Sequence, residues 1–384
     1  MTPRRVAISI CAAAVAVVGA ALAGVGYVIA RRLTVPATAR RYDLAIRAAL
    51  RHGEHDAVVM DRGPGTTAPG VYNVWLEDGG WAQVGAVVGE GPDTVTRIVL
   101  ATRPVGALRE GRRASWSAVY YESPGDAGHD AEEVSIATSA GPTPAWVVHS
   151  PEGTGAHWAV HIHGLGSRRA GTLRGVDVAT RQGLTSLVVS YRNDREGQVT
   201  GSGRPTLGAA ETDDVRAALR YARARGARSF TLIGWSMGAA IALQLAADAE
   251  FRGAVDALVL DSPVIDWTAT IKANCARAGL PSWFGLLARP WLRIGPLARV
   301  VGLEASVPLE RFDWISRAAE LSVPTLILHG VQDSSAPFAD SQRLADLRPD
   351  LVQLESFESE HTMTWNSDSE RWQRAVGEWL AALG

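Results

Sequence analysis

The residues whose types and spacing suggest chemistry centre on one serine. Ser236 lies between Gly234 and Gly238 in the stretch LIGWSMGAA, after an apolar run and before a helix-forming segment rich in alanine and leucine. A serine on a sharp strand-to-helix turn has strained backbone angles, and glycines two residues to either side remove the collisions that side chains would make there. The N-terminus of the helix also directs unpaired N–H groups at the turn. The pattern predicts a nucleophile; a serine that only caps a buried helix is the alternative.

A serine hydroxyl attacks a carbonyl carbon efficiently only when a base removes its proton and a carboxylate orients that base. For a serine on this kind of turn, the chain order is serine, acid, histidine. Two histidines follow Ser236. His329 lies inside the apolar strand LILHG, ahead of the best acid, so we predict that His361, in the loop FESEHTMTW, is the base. An exposed loop histidine is the alternative for His361.

The predicted acid is Asp333, which follows the penultimate strand in LILHGVQDSSAP, where a carboxylate can reach His361. Asp261 ends the run ALVLDSP one strand earlier and is the competing candidate, although it could equally be a turn carboxylate. Glu360 is adjacent to His361, and we expect it to be solvated because adjacent side chains on a strand or loop tend to point apart.

A second glycine-containing turn, HIHGLGS, follows the run HWAV and predicts the site of the oxyanion. The loop after this strand supplies one backbone N–H donor, and the residue after the nucleophile supplies the other. We predict the N–H groups of Leu165 and Met237, with Gly166 as the alternative to Leu165. His161 and His163 alternate on the strand as metal ligands could, but neither a third ligand nor an H-E-x-x-H pattern accompanies them, so no metal is predicted.

The elements that must position these residues begin after about Glu132. Short strand-like runs alternate there with helical windows such as TDDVRAALRYARARG, which predicts a mostly parallel sheet covered by helices on both faces. Ligand sites in such sheets lie at the carboxyl ends of the strands. The runs are VSIAT, AWVVHS, HWAVHIHG, TSLVVSYR, FTLIGWS, ALVLDSP, PTLILHG and VQLESFE.

Residues 32–131 are predicted to form a connector and a small β-rich accessory region. Residues 31 to about 70 are predicted to be a polar, partly helical connector, and short β-like runs follow from Val71, with a hairpin tip at 78–80. Trp75, Trp81 and Trp116 either pack the core of this small sheet or form a ligand face.

The N-terminal residues 1–31 contain twenty-five consecutive uncharged residues, 6–30, and are predicted to be a transmembrane anchor outside the fold. A cleaved signal peptide is the alternative, since a basic head and small-residue sites such as 21–23 are present. Arginines flank the run on both sides, so a single-pass protein of the cell membrane is predicted with the side of the catalytic domain left open.

Composition excludes some classes of function. The 384-residue chain has a formal net charge of −2 and 47% hydrophobic residues, so no basic field attracts nucleic acid, and a sizeable core is expected. The two cysteines are Cys11, inside the apolar run, and Cys275, which gives neither a disulfide framework nor a cysteine metal site.

With GWSMG as the nucleophile turn, HGLG as the oxyanion turn, HGVQD as the acid loop and SEH as the histidine loop, residues 132–384 resemble the α/β-hydrolase superfamily. HIHGLGS together with VVSYRND more narrowly resembles bacterial membrane-associated hydrolases related to the Bem46 and prolyl-oligopeptidase-like branch. The resemblance implies an eight-stranded, mostly parallel sheet and a two-step acyl-enzyme mechanism without a cofactor.

The chain departs from that pattern by an extra apolar and aromatic stretch, LPSWFGLLARPWLRIGPLARVVGL, which predicts a helical lid at about 264–315. Its side chains either bury the lid against the domain or form an acyl-chain pocket or a bilayer contact; the candidates are Trp283, Phe284, Leu286, Leu287 and Trp291. Arg168 and Arg169, just after the oxyanion turn, are either a solvated face or a site for a substrate carboxylate.

The sequence thus predicts a membrane-anchored serine hydrolase that cleaves a small-molecule ester or acyl substrate. A peptidase of the same mechanism is the nearest alternative. A catalytically silent binding module of the same fold is the alternative from a different class.

Overall fold

An eight-stranded sheet forms the centre of the computed structural model, which describes residues 3–36 and 38–383 and the side chains from Val15 onward. With strands numbered in chain order, their order across the sheet is β14-β13-β12-β11-β9-β10-β8-β7. β7 and β8 form an antiparallel edge, with β8 antiparallel to β10, and the remaining neighbours are parallel. Its strands are β7 Glu132–Thr138, β8 Gly141–Val148, β9 His157–Ile162, β10 Thr185–Val189, β11 Ser229–Trp235, β12 Val255–Asp261, β13 Thr325–Gly330 and β14 Val352–Phe357. All eight predicted strand runs are present, and the mostly parallel eight-stranded sheet is confirmed.

Helices cover both faces of this sheet because its central strands are apolar on both sides. Every residue of β10 and β13 is buried. In α3, Val215, Ala218, Leu219 and Ala222 recur at helical spacing and are buried, which gives the helix one apolar face. The helices of this part are α2 Val176–Arg181, α3 Glu211–Ala224, α4 Met237–Ala246, α5 Trp267–Arg277, α6 Gly285–Arg293, α7 Gly295–Val301, α8 Phe338–Leu347, α9 Thr364–Ser367 and α10 Ser369–Ala381.

A closed six-stranded antiparallel barrel precedes the sheet, with the strand order β1-β2-β5-β4-β3-β6. The hairpin tip predicted at 78–80 joins β3 and β4, where the Leu76 N–H donates to the Gly80 carbonyl. The β-rich region begins at Leu44 rather than near Val71, so a partly helical connector over most of 31–70 was wrong. The barrel strands are β1 Leu44–His52, β2 His55–Asp61, β3 Tyr72–Leu76, β4 Trp81–Glu90, β5 Thr94–Arg103 and β6 Arg113–Ser117.

A fully buried arginine, Arg97 on β5, organises the interior of the barrel. Its guanidinium donates to the carbonyls of Thr66, Ala68, Gly70 and Gly85 at 2.7–2.9 Å. The same group lies over the rings of Tyr72 and Trp116. Burial lowers the pKa of Arg97 to about 10, so the group remains a cation at neutral pH. One side chain therefore satisfies backbone acceptors that the barrel would otherwise bury without partners.

The tryptophans of the barrel are mainly packing residues. Trp75 and Trp81 are buried, and Trp116 stacks on Tyr72 with ring centroids 4.5 Å apart. The prediction that these side chains pack the core of the small sheet therefore holds for Trp116, whereas Trp75 and Trp81 are buried outside the apolar core of the barrel.

An N-terminal helix, α1 Pro3–Leu33, includes a stretch from Val15 to Leu33 that is long and apolar enough to cross a membrane. The first two residues of the predicted anchor lie outside the described residues. The last turns of α1 are part of the fold, which corrects the expectation that the whole segment lies outside it. Ile29 and Ala30 are buried in the main core, and an added Cβ on Gly26 would lie 2.1 Å from the Leu287 carbonyl oxygen of α6.

An aromatic contact also holds α1 against the predicted lid, and polar contacts hold it against the loop before α3. The rings of Tyr27 and Trp291 meet edge to face at 5.2 Å. The Arg204 guanidinium donates to the carbonyls of Arg31 and Thr34, each at 2.9 Å, which satisfies acceptors at the C-terminal end of the helix. Trp283 and Leu286, in contrast, remain largely exposed, so the lid is only partly buried against the domain.

Replacing Arg97 with methionine is expected to destabilise the barrel, because two buried and two partly buried carbonyls would lose their donor. We expect the free energy of unfolding to fall by about 3 kcal/mol or more, since each unsatisfied buried acceptor costs about 1–3 kcal/mol. Urea unfolding followed by tryptophan fluorescence measures this loss. Arg62→Met, on an exposed arginine after β2, is the control, and equal stability of the two variants would contradict the role assigned to Arg97.

Candidate active site

The turn between β11 and α4 holds Ser236 in a strained conformation, with φ 54° and ψ −114°. An added Cβ on Gly234 would lie 2.6 Å from the backbone of Ala239, and one on Gly238 would lie 2.1 Å from the Ile162 carbonyl oxygen of β9. Both glycines are therefore required, and the second is required by the neighbouring strand rather than by the turn itself. Positive φ at a residue other than glycine is costly and concentrates at functional sites.

The Ser236 side chain does not cap α4. Its Oγ lies 2.8 Å from Nε2 of His361, and no cap hydrogen bond runs from this side chain to the helix. His361 Nδ1 lies 2.6 Å from Oδ2 of Asp333. The structure thus brings Ser236, His361 and Asp333 into one hydrogen-bonded chain, in which Nδ1–H donates to the carboxylate and Nε2 is free to accept from the serine.

Asp333 has more partners than the sequence indicated. Its Oδ1 accepts from the N–H groups of Ser335 and Ala336, each at 2.8 Å, and its Oδ2 also accepts from Nε2 of His329 at 3.0 Å. His329 Nδ1 accepts in turn from the Ser341 hydroxyl at 2.7 Å. Burial alone would raise the pKa of Asp333, but the hydrogen bonds from both histidines outweigh burial and hold that pKa well below its usual range.

His329 was set aside as a base, and the structure gives it a supporting position. It is the penultimate residue of β13, and its ring donates a hydrogen bond to the carboxylate of Asp333 that His361 also contacts. The available signal was its spacing of four residues before Asp333, across the tight turn that ends the strand. That spacing alone does not distinguish a supporting histidine from a core histidine.

Asp261, the competing acid, does not contact His361. Its carboxylate accepts from the Thr364 hydroxyl and from the Trp372 indole N–H, the latter at 2.9 Å, and burial raises its pKa. Its backbone carbonyl accepts from the Ser236 N–H at 2.9 Å. Asp261 therefore links the serine turn to α9, just after the His361 loop. Glu360 is exposed and accepts from the backbone N–H of Ser334.

The turn after β9 lies directly against the serine. An added Cβ on Gly164 would be 3.0 Å from the Ser236 Cβ. Leu165 follows that glycine, and Met237 follows the serine at the start of α4. Among the hydrogen bonds of the described residues, neither of these two N–H groups has an acceptor. Both N–H groups are therefore free to donate, and their role as oxyanion donors stays a prediction.

A buried network that the sequence did not reveal supports this turn. His163 Nε2 lies 2.9 Å from Oδ2 of Asp194, and the Tyr191 hydroxyl lies 2.8 Å from the His163 carbonyl oxygen. His161 instead contacts the Ser186 hydroxyl at 2.9 Å, and burial lowers its pKa to about 3. The two histidines of H-x-H thus have different partners, and the first is neutral.

The barrel adjoins the site through the loop that carries His361. The Asn366 side chain donates to the carbonyls of Val71 and Ala118, at 2.8 and 3.1 Å. The Val71 N–H donates to the Asn366 carbonyl at 2.8 Å. Trp365 packs against the rings of Tyr120 and Tyr121 in the segment after β6. The accessory region is therefore fixed to the carboxyl edge of the sheet, beside the candidate site.

A family model described as the α/β hydrolase fold matches residues 194–291, which include the nucleophile turn and the first lid helices. This match agrees with the strand order and with the position of Ser236. The chain has the α/β-hydrolase fold. A second model, a domain of unknown function (DUF8805), matches residues 45–117 and coincides with the barrel. No curated relative matches the sequence.

Solved structures with the α/β-hydrolase fold resemble this chain at low sequence identity. An esterase of Pyrococcus furiosus, Pf2001, is 19% identical, with 69% of this chain and 97% of that chain covered and a TM-score of 0.52. An α/β hydrolase from Vibrio vulnificus is 20% identical, with coverages of 66% and 81% and a TM-score of 0.48. These likenesses concern the fold. The narrower resemblance to the Bem46 and prolyl-oligopeptidase-like branch stays a prediction.

Replacing Asp333 with asparagine is expected to lower the free energy of unfolding at pH 7 by about 1.5–3 kcal/mol, the range for hydrogen bonds to a charged group. The pKa of Asp333 is lower in the folded state than in the unfolded state, so its stabilisation is complete above the unfolded value near 4 and disappears as the pH falls through the folded value. The difference between the wild type and the variant should therefore shrink below about pH 4.

Urea unfolding between pH 7 and pH 3 measures this dependence. Asp350→Asn, at an exposed carboxylate paired with Arg348, is the control and should change stability little at any pH. A difference for Asp333→Asn that stays constant down to pH 3 would show that the carboxylate charge is not what stabilises the acid loop.

Proposed function

We propose that this protein is a membrane-anchored serine hydrolase that cleaves carboxylic esters through Ser236, His361 and Asp333. The observation that carries the proposal is the chain of two short hydrogen bonds, 2.8 Å from Ser236 to His361 and 2.6 Å from His361 to Asp333, built on a strained serine turn. A serine that were merely structural would not need positive φ, and a structural histidine would not leave Nε2 facing a hydroxyl.

In the proposed reaction, Oγ of Ser236 attacks the ester carbonyl carbon while Nε2 of His361 takes the hydroxyl proton. The backbone N–H groups of Leu165 and Met237 stabilise the tetrahedral oxyanion. His361 returns the proton to the departing alcohol, which leaves an acyl group on Ser236. Water then attacks the acyl-enzyme while Nε2 of His361 takes its proton, and His361 returns that proton to Oγ of Ser236 as the bond to the acyl group breaks and the carboxylic acid leaves. Asp333 holds the imidazole tautomer and stabilises the imidazolium in both halves.

An ester is favoured over a peptide as the substrate. The region that precedes the sheet is a small closed barrel filled by its own side chains, and Arg97 occupies its interior. It provides no large chamber that selects peptides by size. The Pyrococcus furiosus neighbour named as an esterase shares the fold, which agrees with this class of substrate. A silent binding module is disfavoured because it would have no need for the strained serine.

The proposal includes an uncleaved membrane anchor. Residues 25–34 pack on the lid and on the main core, so cleavage at a site near residues 37–39 would remove Ile29, Ala30 and Thr34 from buried positions. The uncharged part of α1 that precedes this contact, residues 6–24, extends for about 29 Å at 1.5 Å per residue, close to the thickness of about 30 Å of the hydrocarbon core of a bilayer. One helix is thus long enough both to span a bilayer and to pack on the lid and the main core.

We expect Ser236→Ala to abolish labelling by a fluorophosphonate probe and to lower kcat/KM on p-nitrophenyl esters by about 10³-fold or more, because the nucleophile is lost. Asp333→Asn should lower kcat by about 10⁴-fold with the serine still present, because the imidazole loses its required tautomer. Activity of the full chain in detergent micelles is measured on a panel of p-nitrophenyl esters and aminoacyl amides.

Ser229→Ala is the matched control. Ser229 begins the same strand and also contacts a histidine, with its Oγ 2.6 Å from Nδ1 of His157, but it lies at the opposite end of the sheet. Its loss should change neither labelling nor turnover. Faster hydrolysis of amides than of esters would favour the peptidase. Labelling that persists in Ser236→Ala would reject the proposed nucleophile.

The anchor predicts that the mature chain keeps its N-terminal residues and stays in the membrane pellet after alkaline carbonate extraction. Deleting residues 2–24 should release the protein without unfolding it, since the docked turns of α1 remain. N-terminal sequencing of the mature protein checks the first expectation. A mature chain that begins after residue 23 or 39 would show that the segment is a signal peptide.

A further inference from the structure

A cleft of about 540 Å³ lies between the barrel and the turn after β9. Arg40 from the segment before β1, Trp75 from β3, Gly166 and Arg168 from the turn, and Arg195 from the loop after β10 all line it. We call this space, defined by these five residues, the arginine cleft. The proposed acyl-transfer steps use none of its side chains.

Two of the three guanidinium groups are held in place by neutral partners. Arg40 lies over the indole ring of Trp75 at 4.2 Å from the centroid. Arg195 donates from Nη1 to the Thr38 carbonyl at 2.6 Å. Both contacts orient the cation and leave its charge uncompensated. Trp75 itself is buried, and its indole N–H has no partner among the described residues.

The arginines of the cleft differ from their neighbour in how they are paired. Arg169, the next residue after Arg168, is buried and forms ion pairs with Glu133 and Glu196. In the described part of the chain, none of the arginine cleft's three arginines has such a pair with a carboxylate. Arg169 is therefore structural, whereas Arg168 remains available.

Positive charges outnumber negative ones around Arg40. Burial is the main cause that lowers the pKa of Arg40 to about 10, and Arg168 and Arg195 lower it further. Tyr42 and Glu122 oppose that shift, and Glu122 is the one carboxylate among the residues that line the cleft. Three cations face one exposed carboxylate, so an anion in the cleft would relieve repulsion among the arginines.

The backbone that presents Arg195 is itself built for a fixed geometry. Arg195 has φ 86°, an uncommon conformation for a residue with a side chain. The Asp194 side chain accepts from the N–H groups of Tyr191, Glu196 and Gly197 and so closes the loop tightly around Arg195. The same carboxylate binds His163 beside the oxyanion turn. The loop of Arg195 and the turn at Ser236 are therefore connected through one buried residue.

The cleft shares the turn after β9 with the reacting serine, although Ser236 and His361 do not line it. Gly164 contacts Ser236, and Gly166 and Arg168, two and four residues further on, line the cleft. One turn thus contacts the serine at one end and lines the cleft at the other. We propose that the arginine cleft binds an anionic group, a carboxylate or a phosphate, on the ester substrate while the scissile carbonyl lies at Ser236. The assignment to an ester rests on the proposed function, whereas the binding of the anion does not.

Two matched esters test the preference in the full chain in detergent micelles. The p-nitrophenyl monoester of adipic acid and p-nitrophenyl hexanoate have acyl chains of equal length and differ in the terminal carboxylate. We expect a higher kcat/KM for the adipate monoester, and we expect the ratio of the two values to fall at least tenfold in Arg168→Gln and in Arg195→Gln. Arg228→Gln, at an exposed arginine just before β11 at the opposite end of the sheet, should keep the wild-type ratio.

Calorimetry with Ser236→Ala separates this inference from the proposed function and separates the two anions. Adipate and inorganic phosphate are titrated into that variant and into the double variant that also carries Arg195→Gln. Binding that Arg195→Gln abolishes supports the cleft even if no ester is hydrolysed, and the tighter of the two anions identifies the group. Equal ester ratios in all variants, together with no binding of either anion, would overturn the inference and leave the serine hydrolase standing.

Discussion

The Asp333 carboxylate is the point on which the geometry of the site depends. It joins two backbone N–H groups of its own loop to two histidines from different positions, His329 inside β13 and His361 after β14. Because His329 is fully buried and fixed by Ser341, the carboxylate cannot rotate away when His361 moves. A loop acid that is held on three sides keeps its partner imidazole in one tautomer, and general-base chemistry at a serine requires that restraint.

A second constraint comes from close packing between main chains. The serine turn can pack against β9 only because Gly238 has no side chain. The turn after β9 lies against Ser236 in the same way, since an added Cβ on Gly164 would be 3.0 Å from the Ser236 Cβ. The strain at Ser236 is maintained by Asp261, whose carbonyl holds the serine N–H and whose carboxylate holds α9 beside the His361 loop. Hydrogen bonds made by this buried neighbour thus offset the conformational cost of positive φ at Ser236.

The sequence predicted the sheet, and it indicated which three side chains the structure brings together, because both leave local signals. Short apolar runs bounded by turn residues indicate buried strands, and glycines two residues to either side of Ser236 indicate a sharp strand-to-helix turn. The start of the barrel was predicted wrongly because its local sequence signal favours a different structure. The residues of β1, LAIRAALRH, favour a helix by intrinsic propensity, and pairing with β2 and β6 overrides that preference. Arg97 and His329 were missed because burial and long-range partners, not neighbours in the chain, define their roles.

The lid has two unlike faces, which explains why its sequence was ambiguous. Ala288 and Leu292 on α6 are fully buried, Trp291 packs against α1, and Leu286 remains exposed. Packing of α1 on α6 makes the N-terminal helix and the lid one structural unit, since Gly26 allows the two backbones to approach closely. An anchor that spanned a bilayer would therefore hold the lid at the membrane surface. The barrel, by contrast, is fixed through Asn366 to α9, which directly follows the His361 loop, so the barrel and the lid are held by different parts of the chain.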